Sequence, residues 1–471
     1  MKTAIWWLRR DLRLSDNQTL YAALTSADQI IPLFIIDPFF PRSPYFSQKR
    51  ASFLWQGLLT LDADLRQKGS RLIVREGKPE QVLADITNEM DVQNIFAEED
   101  YSPYARRRDS IIADSLPLHL IQGLTVHHPG KVLKQDKTPY IVYTAYKRAW
   151  KKISLHSMYD ILPSPTHIPT AQVISSDPLP KTKKNPFLLS GEMEAQHRLY
   201  SFVNSDKKLQ TAPIYKYAET RNRMDLNGTS TLSPYLRFGM LSARQATVSA
   251  LNALQHAPNE KAQLGAQTWL NELIWREFYY SILFHFPYVR GSSFRSKYDS
   301  IPWINDRTDF VAWKNGNTGY PIVDAAQRQL LKNGFMHNRA RMISASFLVK
   351  NLLVDWRWGE QWFMNNLLDG DPSANNGGWQ WVAGTGTDAA PYFRIFNPIL
   401  QSKKFDPHGE YIRRWVPELR KVSDKFIHEP WKMPLAVQEE INCIIGIHYP
   451  KPVIDLKESR QLALDTYAQA K

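Results

Sequence analysis

The 471-residue chain has a single cysteine, Cys443. One thiol excludes an intramolecular disulfide and any zinc site built from cysteine pairs. The twelve histidines show no H-E-x-x-H spacing, so the sequence predicts no protein-bound metal. No apolar run approaches the roughly 18 residues of a membrane-spanning helix. The first residues, MKTAIWWLRRDLRL, hold an apolar run too short for a secretory signal, and Arg9, Arg10 and Asp11 break it. These absences predict a soluble, cytoplasmic protein without a membrane partner. No internal repeat stands out.

Positive charge and tryptophan are what the chain has in excess. Lys and Arg number 59 against 46 Asp and Glu, a net charge of +13. That balance favours a polyanion such as nucleic acid, or an anionic surface, over a neutral partner, although a merely basic protein fits it as well. The 15 tryptophans call for a structural or photochemical reason. The length suggests two domains, with enough chain for a substantial core.

The first third alternates apolar runs with helical stretches. Residues 4–8, 30–36, 72–75 and 94–97 read as buried strands, and 48–67, 80–90 and 104–115 as helices. Continuous apolar strands separated by helices predict a doubly wound parallel α/β domain over residues 1–130. Ligands of such domains sit at the carboxyl ends of strands, where Arg9, Arg10, Asp11 and Asp37 fall; ordinary loop charge explains them equally. Recurrent prolines make 131–200 a connector, with one short helix around 143–152. From 201 to 471 the chain reads as all-α, with strong helices over 267–286 and 338–353 and Pro321 in a first helical turn.

Residues 368–398, LDGDPSANNGGWQWVAGTGTDAAPYFRIFNP, resemble nothing else in the chain. Glycines, amides, Asp369, Asp371 and Asp388 surround Trp379 and Trp381. Read as a loop inserted into a helical core, the segment suggests a pocket for a large planar ligand. Gly384-Thr-Gly386-Thr-Asp388-Ala389 matches a dinucleotide fingerprint, but that motif counts only after a first strand and before a helix, which this position is not.

Three further groups carry chemistry. Glu272, Trp275 and Arg276 share a helix face, fit for the polar edge of a flat ligand, though a solvated Glu–Arg pair with Trp275 in the core explains them as well. Asn338, Arg341, Met342 and Ala345 share another; a buried Asn and Arg need partners, and Asp369 or Asp371 would suit Arg341. Gly228-Thr-Ser-Thr-Leu-Ser233-Pro234 offers hydroxyls and backbone N–H groups ahead of a helix, either a phosphate seat without a Walker lysine or a helix cap.

With these blocks in view, the chain resembles the photolyase and cryptochrome flavoproteins, most closely the class I cyclobutane pyrimidine dimer photolyases. The resemblance spans nearly the whole length, through WLRRDLRLSDN, GTSTLSPYLRFG, WLNELIWREFY, TGYPIVDAAQRQL, MHNRARMISASFLVKNLLVDWR and the 368–398 segment. It implies a Rossmann-like antenna domain followed by a helical FAD-binding catalytic domain. It implies FAD, reduced in the active form, held by Tyr217, Thr229, Ser230, Thr231, Leu232, Ser233, Trp269, Asn338, Arg341, Asp369, Gly370, Asp371 and Asn375, with Asn375 facing the flavin N5. Trp379, Trp356 and Trp303 match, from the flavin outward, the tryptophans that photoreduce it.

The resemblance also implies a lesion pocket of Glu272, Trp275, Asn338, Met342 and Trp381. His337 stands alone where six-four photolyases carry a histidine pair, which favours the cyclobutane dimer. Arg221, Glu272, Trp275, Arg276, Tyr279, Asn338, Arg339, Arg394 and Gln401 fall at DNA-contacting positions. A second, antenna chromophore is implied; Asp100 and Pro103 lie nearer the deazaflavin pattern than the methenyltetrahydrofolate one, and a second flavin or none stays open. The implied activity is light-driven repair of UV-damaged DNA by a monomer with no obligate protein partner. The alternative is a cryptochrome-type blue-light photoreceptor; Asn375, the complete pocket and a chain ending soon after the helical domain favour repair. A third reading, a basic DNA-binding flavoprotein without repair activity, keeps the arginines and does not need the pocket.

Overall fold

Apolar, β-branched runs in the first third pair as strands because only a sheet covered on both faces buries every side chain of such a run. In the computed structural model, β1 (Thr3–Leu8), β2 (Gln29–Ile36), β3 (Ile73–Glu76), β4 (Val92–Glu98) and β5 (Leu118–Ile121) form one parallel sheet in the order β3-β2-β1-β4-β5. The structure describes residues 1–153, 161–171, 174–183, 185–204, 211–391 and 393–470. Register pairs Ile5 with Ile31 on one side and Ile95 on the other. Ile5, Ile31, Leu33, Ile73 and Ile95 are all inaccessible to solvent.

The chain forms two compact units. One comprises Met1–Ala218 and Ser230–Pro287; the other, Glu219–Thr229 and Tyr288–Lys471.

In the first unit, helices α1 (Gln18–Ser26), α2 (Gln48–Gln67), α3 (Pro79–Met90) and α4 (Pro103–Ala113) accompany the sheet. The predicted doubly wound order is present. The edge strand β5 and helix α1 were not legible: LHLI is half exposed and carries His119, so it lacks the apolar run of a buried strand. Strand order reverses between β1 and β4, the usual ligand crevice of such sheets. Here acidic and basic side chains meet in that crevice. Arg9 meets Asp109 at 2.7 Å, Arg10 meets Asp100 at 3.2 Å and Arg13 meets Glu98 at 3.5 Å. Asp11 accepts from Trp6 Nε1 at 2.9 Å. The charges suspected as ligand contacts are therefore engaged by the fold itself.

The same unit continues through α5 (Tyr143–Lys152), α6 (Ser233–Phe238), α7 (Ala243–Gln255) and α8 (Glu260–His285). Gly265 lets α8 touch the preceding chain: a Cβ there would lie 2.3 Å from the Tyr215 carbonyl oxygen.

The second unit is helical. Its elements include α9 (Arg307–Asn315), α10 (Pro321–Asn333), α11 (Asn338–Ser346), α12 (Trp356–Asn366), α13 (Pro372–Ala383) and α14 (Leu456–Gln469). Pro321 opens α10 and Gly334, at φ 68°, closes it. The single helix expected over 338–353 is instead α11 followed by a wider turn, in which Leu352 N–H donates to the Phe347 carbonyl five residues back at 3.0 Å. Trp313, Val323, Ile343, Phe347, Trp356, Phe363 and Trp379 share one apolar core.

The segment read as an inserted loop is in large part helix. Asp371 caps α13, accepting from Ser373 N at 2.8 Å and Ala374 N at 3.2 Å; Pro372 opens it and Gly384, at φ 81°, ends it. Asp-Pro ahead and Gly behind are ordinary start and stop signals; the paired glycines and asparagines inside, poor helix formers, hid them. Gly384 is thus the end of a helix, which disposes of the dinucleotide match.

Candidate functional site

The implied site residues divide between the two units. In the first, α8 carries Trp269, Glu272, Trp275, Arg276 and Tyr279 at steps of three, four and seven along one side. Asn259 caps the helix, accepting from Ala262 N at 2.9 Å. Trp269 is buried and packs on Phe202 at 5.2 Å, and Tyr217 meets the same ring edge-on at 5.9 Å. Glu272, Trp275 and Tyr279 are half-buried. Trp275 is not a core residue; it stacks on Tyr143 with ring centroids 3.6 Å apart and planes 9° from parallel. Arg276 donates to the carbonyls of Leu124 at 3.0 Å and Leu236 at 3.4 Å. Beneath them Glu277, its pKa raised by burial, accepts from Trp150 Nε1 at 2.7 Å and from Val126 N, which ties α8 to α5.

The hydroxyl run does not cap its helix. Leu232 occupies the capping position of α6 and has no side chain to do so. Thr231 takes φ 51° and accepts from Arg198 Nη1 at 2.9 Å, while Arg198 Nε pairs with Glu194 at 2.7 Å. Arg198, which no sequence pattern singled out, thus brings a guanidinium to Thr231, in the middle of the hydroxyl run. In the antenna stretch, Asp100 is spoken for: burial pushes its pKa up, but Arg10 and the Ser102 N–H outweigh that and hold it at about 2.

In the second unit, Thr229 ends the short Glu219–Thr229 stretch and Arg221 is half-exposed there. On α11, Asn338 is exposed rather than buried, with Nδ2 3.8 Å from Met342 Sδ. Arg339 donates to Asn222 Oδ1 at 2.8 Å and lies 4.5 Å over Phe405. Arg341 pairs with Asp369 at 2.8 Å and donates to the Met336 carbonyl at 2.8 Å. Of the two carboxylates expected for Arg341, Asp369 is the partner and Asp371 is the cap of α13. His337 caps α11; burial, then Arg339 and Arg341, lower its pKa to about 4, so it is a neutral acceptor.

Asn375 sits one turn into α13. Its Nδ2 donates to the Glu360 carbonyl at 3.0 Å and to Glu360 Oε1 at 3.1 Å; Arg290 pairs with the same Oε1 at 2.9 Å. Burial raises the Glu360 pKa, and Arg290 opposes the rise. Asn375 Oδ1 has no partner among the described residues. One turn on, a Cβ at Gly378 would meet nothing within 4 Å. An open acceptor beside open space on a helix face suits an N–H at the edge of a flat ring. Hydroxyls near a guanidinium suit a pyrophosphate. Each set, within its own unit, therefore fits a part of FAD.

Trp356 and Trp379 lie in the apolar core, with Trp303 packed against it. Their indole N–H groups are buried and have no acceptor among the described residues, whereas Trp313 donates to the Ser344 carbonyl and Trp362 to Gln327, each at 3.0 Å. The ring contacts of Trp379 run to Phe363 at 4.9 Å and Trp313 at 6.2 Å, and that of Trp303 to Tyr467 at 5.9 Å. Direct contact between successive members of the implied tryptophan chain is not among them. Trp381 and Gln401 are half-buried and Arg394 is exposed. Among the described residues no cluster of metal-ligating side chains occurs, and no helix is long and apolar enough to cross a membrane.

A parallel sheet followed by helices, with residues suited to the parts of a flavin nucleotide, points to a flavoprotein, and comparison with known proteins agrees. Residues 4–169 match the model for DNA photolyase, and residues 269–469 the model for the FAD binding domain of DNA photolyase. A deoxyribodipyrimidine photo-lyase of Agrobacterium fabrum is 36% identical over 489 residues, covering 100% of this chain and 99% of that one. A class III photolyase from Agrobacterium tumefaciens superposes with a TM-score of 0.92 at 35% identity, covering 100% of this chain and 98% of that one. A Synechocystis cryptochrome gives a TM-score of 0.88 at 28% identity, covering 99% of each. The chain belongs to the DNA photolyase family. The fold, the FAD-binding domain and the enzyme class implied by the sequence are those of this family, whose work is photorepair of DNA.

Proposed function

We propose that the protein repairs cyclobutane pyrimidine dimers in DNA under light. The observation that carries this reading is Asn375: its amide is pinned by Glu360 with the oxygen outward, an acceptor suited to the N–H that a flavin bears when reduced. FAD supplies, when bound, a light-excited electron donor that opens the dimer and receives the electron back. Tyr217 and Trp269 would pack against it. Thr229, Ser230, Thr231, Leu232 and Ser233, with Arg198, would hold its phosphates. Asn338, Arg341, Asp369, Gly370, Asp371 and Asn375 would hold the remainder. Trp379, Trp356 and Trp303 would deliver electrons from the protein surface to restore the reduced state.

A dimer inside a duplex must leave the stack to reach a buried cofactor. Trp275 and Trp381 offer the flat faces, Glu272 a hydrogen-bonding carboxyl, and Asn338 and Met342 the remaining wall. Arg221, Arg339 and Arg394 would meet phosphates, with Gln401, Tyr279 and Arg276 beside them. Arg276, engaged with two backbone carbonyls, would contribute least. Such contacts make binding weaken as salt rises. A second chromophore would reside in the α/β unit.

The test is direct. Reduced protein is mixed with an oligonucleotide bearing one thymine dimer and illuminated with near-UV or blue light. Loss of the dimer above a dark control is expected, and Glu272→Ala is expected to lower the yield per photon. No loss would overturn the repair reading. It would turn attention to the photoreceptor alternative, which the Synechocystis likeness favours.

A further inference from the structure

The segment read as a connector lays a side chain flat against Trp275. Helix α5 packs on α8 through residues from both of its ends. The Tyr143 hydroxyl donates to the Asn271 carbonyl at 2.8 Å, and Lys151 Nζ donates to Gln267 Oε1 at 2.9 Å. Further along, Trp150 Nε1 reaches Glu277. Asn271 stands one turn before Trp275 on the same helix, so the bond from Tyr143 fixes its ring squarely against that indole. Tyr143 is itself buried and meets Phe278 edge-on at 5.9 Å.

Trp275 is held on several sides. Tyr143 covers one broad face at 3.6 Å and 9°. Phe278 abuts it edge-on at 5.6 Å, and Tyr279 leans on it at 5.6 Å. Its half-burial leaves part of the indole open. A half-buried tryptophan without such support samples several rotamers, and ordering it on binding costs affinity. With Tyr143 in place that ordering is done in advance.

We propose that Tyr143 is a positioning residue for lesion recognition, holding the Trp275 indole in the plane onto which the flipped dimer stacks. This rests on the reading of Trp275 as a lesion-flanking side chain. It adds a determinant of damage preference from outside the helical region that carries the other pocket residues. Ordinary helix packing would fix α5 to α8 just as well, but it would not single out damaged DNA.

The test uses full-length, FAD-loaded protein in the dark at fixed salt. Dissociation constants are measured for a duplex with one thymine dimer and for the same duplex undamaged. The variants are Tyr143→Phe, Tyr143→Leu, Trp275→Leu and the double Tyr143→Leu/Trp275→Leu. Tyr143→Leu is expected to lower the preference for damaged DNA roughly three- to tenfold, the worth of one aromatic stack, while affinity for undamaged duplex holds. Tyr143→Phe keeps the stacked ring and loses only the bond to the Asn271 carbonyl, and is expected to retain most of the preference. Once Trp275 is leucine, changing Tyr143 is expected to have no further effect, the mark of two residues acting through one contact.

Three results would overturn the inference. Equal losses on damaged and undamaged DNA would assign Tyr143 to packing alone. An intact preference in Tyr143→Leu beside a lost one in Trp275→Leu would remove Tyr143 and leave the Trp275 reading standing. An intact preference in Trp275→Leu would remove both.

Discussion

Asn375 gives its amide hydrogens to a single residue, Glu360, reaching the backbone carbonyl at 3.0 Å and carboxylate Oε1 at 3.1 Å. A backbone carbonyl only accepts, so the amide cannot turn over, and its oxygen faces away from Glu360. Asn375→Asp would set a carboxylate against two acceptors and force it to bind a proton or swing aside. We expect a stability loss of about 1–3 kcal/mol from the broken contacts. We also expect reduced flavin to oxidise in air at least roughly tenfold faster, the equivalent of about 1.4 kcal/mol. Flavin absorbance followed after admitting air checks this; unchanged persistence would mean that Asn375 does not face the flavin.

Arg341 and Asp369 form the second fixed point of the proposed cofactor site, at 2.8 Å with side-chain exposures of 25% and 6%. Removing the guanidinium leaves a nearly buried carboxylate short of its counter-charge. Arg341→Ala is expected to cost about 2–4 kcal/mol in denaturant unfolding, somewhat under a fully buried pair because the arginine is part-exposed. The purified variant should also hold substoichiometric FAD by absorbance. Full occupancy after dialysis would show that this pair serves the fold alone.

What the sequence let through follows from how local each signal was. Strands β1 to β4 were legible because their apolar runs are continuous, and helix 143–152 because its apolar residues recur at helical spacing. The edge strand β5 was not, since an edge needs no apolar run. Helix α13 was hidden by its own composition: Asn375, Gly377 and Gly378 are poor helix formers, and only the Asp371-Pro372 start and the Gly384 stop betray it. The Arg341–Asp369 pair was foreseeable from charge, but the choice of Asp369 over Asp371 depended on which one capped a helix. Glu360, Arg290, Arg198 and Tyr143 were invisible for a common reason. Each acts by touching a residue far away in sequence, and no local pattern records such contacts.

Trp379 is wedged against a glycine. A Cβ at Gly359 would lie 2.1 Å from the indole, so Gly359→Ala must displace one or the other. We expect this variant to slow photoreduction of oxidised flavin, as Trp379→Phe should, while enzyme reduced chemically beforehand repairs at an unchanged yield per photon. The two yields can be read from one sample by changing only the order of dithionite and light. Equal loss of both would contradict the part given to Trp379. Normal photoreduction in Trp379→Phe would do so more directly.

Glu98 makes the α/β unit sensitive to pH. It is 3% exposed, and burial raises its pKa from 4.5 to about 7, with Arg13 opposing and Asp11 reinforcing the rise. With its carboxyl pushed up to about 7, the folded protein is expected to hold this proton at pH values where the unfolded chain, releasing it near 4.5, has lost it. Unfolding therefore gains ground as pH climbs between those values, and the loss is complete above about 7. Two and a half pKa units correspond to about 3 kcal/mol. Asp100, held at about 2, titrates well below this window. Glu98→Gln removes the titration. Its stability relative to the parent is expected to rise by up to about 3 kcal/mol between roughly pH 4.5 and pH 8, measured by urea unfolding at each pH. A difference that stays flat across that range would mean that Glu98 is ionised in the folded protein throughout, with Arg13 outweighing its burial.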